Sequence, residues 1–249
     1  MAADSTRALV LRTFEFGETS QVAHLFTERQ GRIHGLAKGA RRLNGAFHGG
    51  LDTLSFGELS VYGRRAGNQL RTLGSFVGIT SFSGLRETPA RFHNAFHVAA
   101  LVLAFAREEQ PLPALFELTV SALRLLEEAD EDEAQALGLG YEAMVLTHLG
   151  FLPELTRCVE CERPARNIRV TRLSGLRGGL LCRNCGHRDQ RAVQVSGLAV
   201  ASLVGLCSGP LVRAQGLPTD FQLRREIRGA LDGWTTTVLD RPLRTARHV

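Results

Sequence analysis

Lysine is all but absent from this chain: Lys38 is the one lysine among 30 basic residues in 249. A P-loop needs Gly-Lys followed by Ser or Thr, and Lys38 stands in Leu36-Ala37-Lys38-Gly39, so a Walker-type ATPase is excluded. His93 and His97 share a helical face at i, i+4, but Asn94 occupies the place where an HExxH metalloprotease carries its glutamate, and packing is the expected role of the pair. There is no GxSxG nucleophile elbow and no paired-carboxylate pattern of a two-metal nuclease, so no catalytic residue is assigned and a non-enzyme is expected. No apolar run is long enough to span a bilayer and no secretory signal is recognisable at the N-terminus. A cytoplasmic protein with no membrane partner is the expectation.

Against these absences stand four cysteines in two pairs, Cys158/Cys161 and Cys182/Cys185. Two residues between thiolates let a tight backbone knuckle aim both sulfurs at one metal, and two knuckles close a tetrahedron, so the spacing predicts one structural zinc ion. The alternatives are two disulfides or a redox dithiol, which a reducing cytoplasm disfavours. The segment between the pairs reads as a ribbon hairpin, with Asn167 to Arg172 strand-like and Ser174-Gly175 and Gly178-Gly179 as turns. His187 could replace one cysteine but is expected to face solvent. Cys207, in the apolar run Leu198 to Leu206 and just beyond, is expected to be a buried inert thiol.

Hydrophobic residues make up 44% of the chain, enough for a substantial core, and the formal charge is +5. Its distribution is uneven. Residues 1–80 hold ten basic against six acidic side chains, and residues 156–192 nine against three. One zinc with four thiolates lowers the ribbon's +6 by two, leaving both regions as candidates for a polyanion. Residues 108–142 hold one basic against ten acidic side chains, and the run Glu127 to Glu133 reads as a solvated interhelical loop.

The first eighty residues carry short apolar runs between glycine turns, at Arg7–Phe16, Gln21–Glu28, Arg32–Ala37, Leu51–Tyr62 and Gln69–Phe82. Five strands in so short a stretch suit a Greek-key barrel of the OB type, although pattern alone leaves other small barrels open. From about residue 88 the period becomes helical: Phe92, Phe96, Ala99 and Leu103, then Leu115, Leu118, Ala122 and Leu125, then Leu137, Tyr141, Met144 and His148. A fourth helix is predicted over Val195 to Cys207 and a fifth from Thr219, its N-cap, through Leu223, Ile227, Leu231, Trp234 and Val238. The chain therefore reads as an α+β multidomain protein: a five-stranded OB-type barrel (1–82), an α-helical bundle domain in two parts (83–155 and 193–249), and an inserted four-cysteine zinc ribbon (156–192).

The most suggestive basic stretch runs from Gly31 through Arg32 and Lys38-Gly39-Ala40 to Arg41-Arg42, a strand leading into a cationic loop. Lys38, Arg41 and Arg42 would meet successive phosphates, with Arg32, Arg64, Arg65 and Arg71 extending the groove; the bland reading is an ordinary solvated turn. Single-strand binding also wants exposed aromatic platforms. Phenylalanine in a small barrel is usually core, and Phe47, just after the arginines, is the one candidate for exposure.

The runs Arg7-Ala8-Leu9-Val10-Leu11-Arg12, Phe16-Gly17-Glu18-Thr19-Ser20, Leu25-Phe26-Thr27 and Lys38-Gly39-Ala40-Arg41-Arg42, with Leu149-Gly150-Phe151-Leu152-Pro153-Glu154-Leu155 ahead of Cys158 and Cys161, resemble the bacterial RecO family of DNA repair proteins. The likeness covers nearly the whole chain in the same order. It implies an OB domain, a helical domain and a zinc ribbon, and non-catalytic work: binding single- and double-stranded DNA, annealing complementary strands, and helping RecA, with RecR and RecF, to replace single-strand-binding protein. Lys38, Arg41 and Arg42 would be DNA contacts, and an apolar pocket in the helical domain would take the acidic C-terminal tail of single-strand-binding protein. Glu162 stands where relatives often have glycine, and some relatives lack the cysteines, so zinc is read as support for the fold. Two other classes compete: a zinc-ribbon and OB transcription or translation factor binding RNA or polymerase, and a metal-dependent nuclease.

Overall fold

A first strand of fourteen residues, β1 (Ala3–Phe16), is long enough to serve two neighbours, and this closes the N-terminal barrel. Its second half pairs antiparallel with β2 (Ser20–Thr27) and its first half with β4 (Phe56–Tyr62). β3 (Gly31–Ala37) adds to β2, and β5 (Arg71–Thr80) joins β3 in parallel and β4 antiparallel, giving the closed order β1-β2-β3-β5-β4 of an OB-type barrel. The structure, a computed structural model, describes residues 3–47, 51–62, 70–165 and 170–243. Strict alternation in β3 puts Ile33 and Ala37 inside, where they meet Ala8, Val10, Ala23, Leu25, Leu59, Val61, Leu73 and Phe76.

The strand expected over Leu51–Tyr62 starts only at Phe56. Leu51 and Leu54 are instead buried loop residues, Leu54 with φ of 72°, and Leu51 joins Ala40 and Phe47 in the barrel core. Phe47 is thus not an exposed platform: it is 3% exposed, because the loop that carries it folds back over the barrel.

Among the described residues five α-helices follow: α1 (Pro89–Phe105), α2 (Pro113–Glu128), α3 (Glu131–His148), α4 (Gly197–Ser208) and α5 (Phe221–Leu239). The acidic run is not a loop. α2 extends through Glu128, and Asp130 begins α3 with a capping box in which its carboxylate accepts from Glu133 N at 2.8 Å while Glu133 Oε2 accepts from Asp130 N at 3.0 Å. Glu131, Asp132 and Glu133 then occupy the first turn, where the helix dipole favours negative charge. The N-cap of α5 is Asp220 rather than its neighbour Thr219, its Oδ1 accepting from Leu223 N at 2.7 Å. α3 is buried on nearly every side, Ala134, Leu137, Tyr141, Glu142, Val145 and Leu146 among its covered residues. None of the helices among the described residues is long and apolar enough to cross a membrane.

Packing groups the chain into two units, one of residues 1–88 with 99–128, the other of 89–98 with 129–249, so α1 contributes to both. In the second unit the cysteine segment forms a four-stranded sheet of order β6-β8-β7-β9, from β6 (Glu154–Cys158), β7 (Val170–Ser174), β8 (Gly179–Cys182) and β9 (Val193–Ser196). Val195, expected to open the fourth helix, is in β9; α4 begins after its N-cap Ser196, which accepts from Ala199 N at 3.2 Å.

Candidate nucleic-acid interface and four-cysteine centre

On the first unit, the loop after β3 is held by backbone bonds rather than by its cations. Arg41 N donates to Thr19 O at 3.0 Å, Gly39 N to Ser20 Oγ at 3.2 Å, Arg42 N to Gly39 O at 3.0 Å and Phe76 N to Ala46 O at 3.1 Å. Ala40 and Phe47 anchor it in the core. The three cations are consequently left outside: Lys38, Arg41 and Arg42 are all exposed. Arg41 Nη1 reaches Glu15 Oε1 at 3.1 Å, while Lys38 and Arg42 have no ion-pair partner among the described residues. A pinned loop with free cations presents charge at little entropic cost on binding.

Arg32 and Arg71 are placed differently. The segment after α1 carries Glu108 and Glu109 along the barrel edge, with Glu109 N donating to Arg32 O at 3.0 Å. Glu108 pairs with Arg32 at 3.6 Å and lies 3.4 Å from His34 Nδ1. Glu109 pairs with Arg71 at 2.8 Å, and Gln30 takes a further bond from the same guanidinium. Of the expected contact residues, the structure therefore gathers Lys38, Arg41 and Arg42 into one loop and spends the charge of Arg32 and Arg71 within the protein. Arg64 and Arg65 lie outside the described residues.

The outer face of β1, β2 and β3 supplies aromatic surface that sequence reading assigned to the core. Ala8 and Val10 point inward, but the register of β1 shifts between Val10 and Arg12, and a one-residue slip turns Arg12, Phe14 and Phe16 out to solvent. Phe14 is 40% and Phe16 54% exposed. Arg12, His24 and His34 are cross-strand neighbours; the His24 ring lies 5.6 Å from Phe14 and 5.3 Å from His34, and the Arg12 guanidinium sits 4.4 Å over Phe14. Burial, followed by the charges of His34, Arg32 and Arg12, holds the His24 imidazole below its ordinary pKa. At neutral pH it is therefore an uncharged flat ring. The signal missed in the sequence was the bulge, which no residue type in β1 announces.

On the second unit, the four sulfurs of Cys158, Cys161, Cys182 and Cys185 lie within 4.8 Å of one another, Cys161 Sγ and Cys182 Sγ at 3.7 Å. A tetrahedron with metal–sulfur bonds of ~2.3 Å has edges of ~3.8 Å, so the donor set fits a metal ion such as zinc. Burial opposes ionisation of Cys158, yet backbone N–H groups of Cys182, Glu160 and Cys161 bring its pKa down to about 7. Burial and the neighbouring sulfurs push Cys185 up to about 12. Four sulfurs this close cannot all ionise without a cation among them, and a divalent metal is the group that supplies it. His187 is exposed, as expected, while Cys207 is only partly buried. Glu162, closing the first knuckle, has φ of 59°, a left-handed conformation that favours glycine.

The family profile described as "Recombination protein O N terminal" matches residues 1–82, and that described as "Recombination protein O C terminal" matches residues 86–247. The chain belongs to the RecO family. Curated relatives named DNA repair protein RecO include that of Rhodopirellula baltica, 34% identical over 82% of this chain and 74% of its own length. Those of Anaeromyxobacter dehalogenans (30% identical, 97% of this chain and 93% of the relative) and Alkaliphilus metalliredigens (28%, 95% and 94%) extend over nearly the whole length. RecO membership sets the barrel, the helices and the four-cysteine ribbon in a DNA repair protein.

Proposed function

We propose that the chain is a non-catalytic recombination mediator that binds single- and double-stranded DNA and anneals complementary strands. With RecR and RecF it would help RecA replace single-strand-binding protein, acting in the cytoplasm on the nucleoid. The observation that carries this reading is the pinned loop with Lys38, Arg41 and Arg42 exposed, bordered by the aromatic outer face of the barrel. Cations on a fixed loop neutralise successive phosphates whatever the sequence, and Phe14 and Phe16 offer faces on which unpaired bases stack. Base edges stay free, so pairing itself supplies specificity.

The four cysteines would hold one zinc ion. Its closed coordination leaves no position for substrate, so the ion would fix the two knuckles and the sheet between them. Metal analysis of the purified chain tests this, one zinc per molecule being expected. For the acidic tail of single-strand-binding protein, the cleft of about 280 Å³ where α3 and α4 meet the Leu211–Gly216 turn offers apolar Met144, Leu206, Leu211 and Leu217 beside Arg213.

The decisive experiment is annealing of complementary oligonucleotides coated with single-strand-binding protein, comparing the parent with Lys38→Glu/Arg42→Glu. Both sites are exposed, so folding should be retained while annealing and binding at moderate salt fall together. Undiminished annealing by the double variant refutes the reading, and a preference for RNA over DNA would move it to the transcription or translation class.

A further inference from the structure

The ribbon carries nine arginines, and most of those described are either paired with carboxylates or scattered. Arg157 pairs with Glu154, and Arg177 and Arg188 both reach Glu160. Arg172 and Arg183 differ: neither has an ion-pair partner among the described residues, and both line one cleft of about 350 Å³ with Gly186, His187, Gln190 and Gln194.

The cleft is assembled by the fold of the ribbon. Arg172 is on β7 and has Gln194 of β9 as its cross-strand neighbour, so both side chains stand on one face of the sheet. Arg183 lies inside the second cysteine knuckle, and the tight turn Gly186–Arg188 that follows Cys185 brings His187 and Gln190 to the same place. The stem of Arg172 runs past Gly186, its Cδ in van der Waals range of where a Cβ would stand there.

We infer that this cleft is a second nucleic-acid site, taking the phosphodiester backbone of a DNA strand through Arg172 and Arg183 with His187, Gln190 and Gln194 as further hydrogen-bond donors. Every side chain lining it can donate a hydrogen bond and none is apolar, which suits phosphate oxygens. A docked peptide would want an apolar anchor, and the cleft has none to offer. The guanidinium fork of arginine matches phosphate geometry, and the absence of carboxylates from the lining leaves that positive charge available to the ligand. The inference rests on the reading of the chain as a DNA-binding protein. It adds a phosphate site on the second unit, separate in the chain from the barrel loop, as expected of a molecule that must neutralise two mutually repelling strands.

Gln190→Glu/Gln194→Glu tests it, since both positions are exposed and both changes are isosteric, adding carboxylates without touching the arginines or the cysteines. The probes are a labelled oligothymidylate and a labelled duplex, titrated over a range of salt, with circular dichroism and bound metal checked to match the parent. Affinity should fall about tenfold at moderate salt, and the slope of log K against log salt should flatten by about one. Isotherms and slopes that coincide with the parent would overturn the inference. So would a variant that keeps DNA affinity but loses binding to polyglutamate or another acidic peptide, which would make the cleft a protein site. Arg42→Glu in the barrel loop serves as the companion. If it alone weakens binding, the DNA reading stands and the ribbon site falls; if neither variant weakens binding, both fall.

Discussion

His97 Nε2 lies 2.9 Å from Glu142 Oε2, and both side chains are sealed from solvent. The other carboxylate oxygen accepts from Thr235 Oγ1 at 2.6 Å, and Arg228 approaches at 3.7 Å. The second unit thus has a charged group at its centre, satisfied by one residue from α1 and two from α5. His93, its partner at i, i+4, is exposed, so the two histidines share no site.

Glu142→Ala should cost about 3–5 kcal/mol in urea unfolding, because it leaves the buried His97 Nε2 without its hydrogen-bond partner and Arg228 without a counter-charge. Burial alone would raise the Glu142 pKa, but His97, Arg228 and Thr235 outweigh it and leave the group below its ordinary value. A depressed folded pKa gives stability that is present above the ordinary carboxylate range and is lost as pH falls through the folded value. The parent should therefore lose stability in acid more steeply than a Glu142→Gln variant does; parallel pH profiles would count against this.

Asp232 has the opposite sign. Burial, followed by Glu142, pushes its carboxyl up to about 6, although Arg228 and His97 oppose the shift. A raised folded pKa means stability that is present at low pH and lost as pH rises through about 6. Asp232→Asn should therefore gain ~1 kcal/mol over the parent at pH 8, with the gap closing toward pH 4. A variant less stable than the parent at pH 8 would show that the charge is needed.

Gly31 begins β3 with φ of 66°, and a Cβ there would stand 2.0 Å from the carbonyl oxygen of Gln110. Backbone cannot yield as a side chain can. Gly31→Ala should destabilise the chain by ~3 kcal/mol or more, from the clash and the left-handed conformation together. Thermal melting unchanged within error would contradict the close approach.

Glu162 carries the reverse expectation. In the left-handed region glycine has no steric penalty, so Glu162→Gly should raise ribbon stability by ~1 kcal/mol, read as slower metal loss to a chelator and a higher melting temperature. Faster metal loss would mean that the carboxylate has a role its backbone does not reveal.

Phe14→Ala/Phe16→Ala should weaken single-strand binding by ~1–3 kcal/mol per stacked base while leaving duplex binding nearly intact. Phe47→Ala should instead cost ~3–5 kcal/mol of stability, as core truncations do. Equal loss on single and double strands by the first variant would remove the stacking role.

Much of the fold was legible. Glycine turns and short apolar runs announced five strands, and helical spacing located all five helices. The start of the fifth helix slipped by one residue because two good caps, Thr219 and Asp220, stand side by side, whereas the fourth strand starts late because Leu51 and Leu54 are buried by a loop. The acidic run misled because charge density reads as loop, whereas Asp130 to Glu133 is a helix start whose carboxylates are drawn by free N–H groups and the dipole.

The spacing of Cys158, Cys161, Cys182 and Cys185 and the clustering of Lys38, Arg41 and Arg42 were settled by sequence, because a knuckle and a loop are made by residues a few positions apart. Which arginines keep their charge for a ligand was decided only in three dimensions, when Glu108 and Glu109 came to lie against Arg32 and Arg71. The same holds for Phe14 turning outward while Phe47 turns in, and for His97 meeting Glu142. Neutralisation and burial depend on the distance between groups remote along the chain, and that distance is fixed by packing rather than by any local pattern.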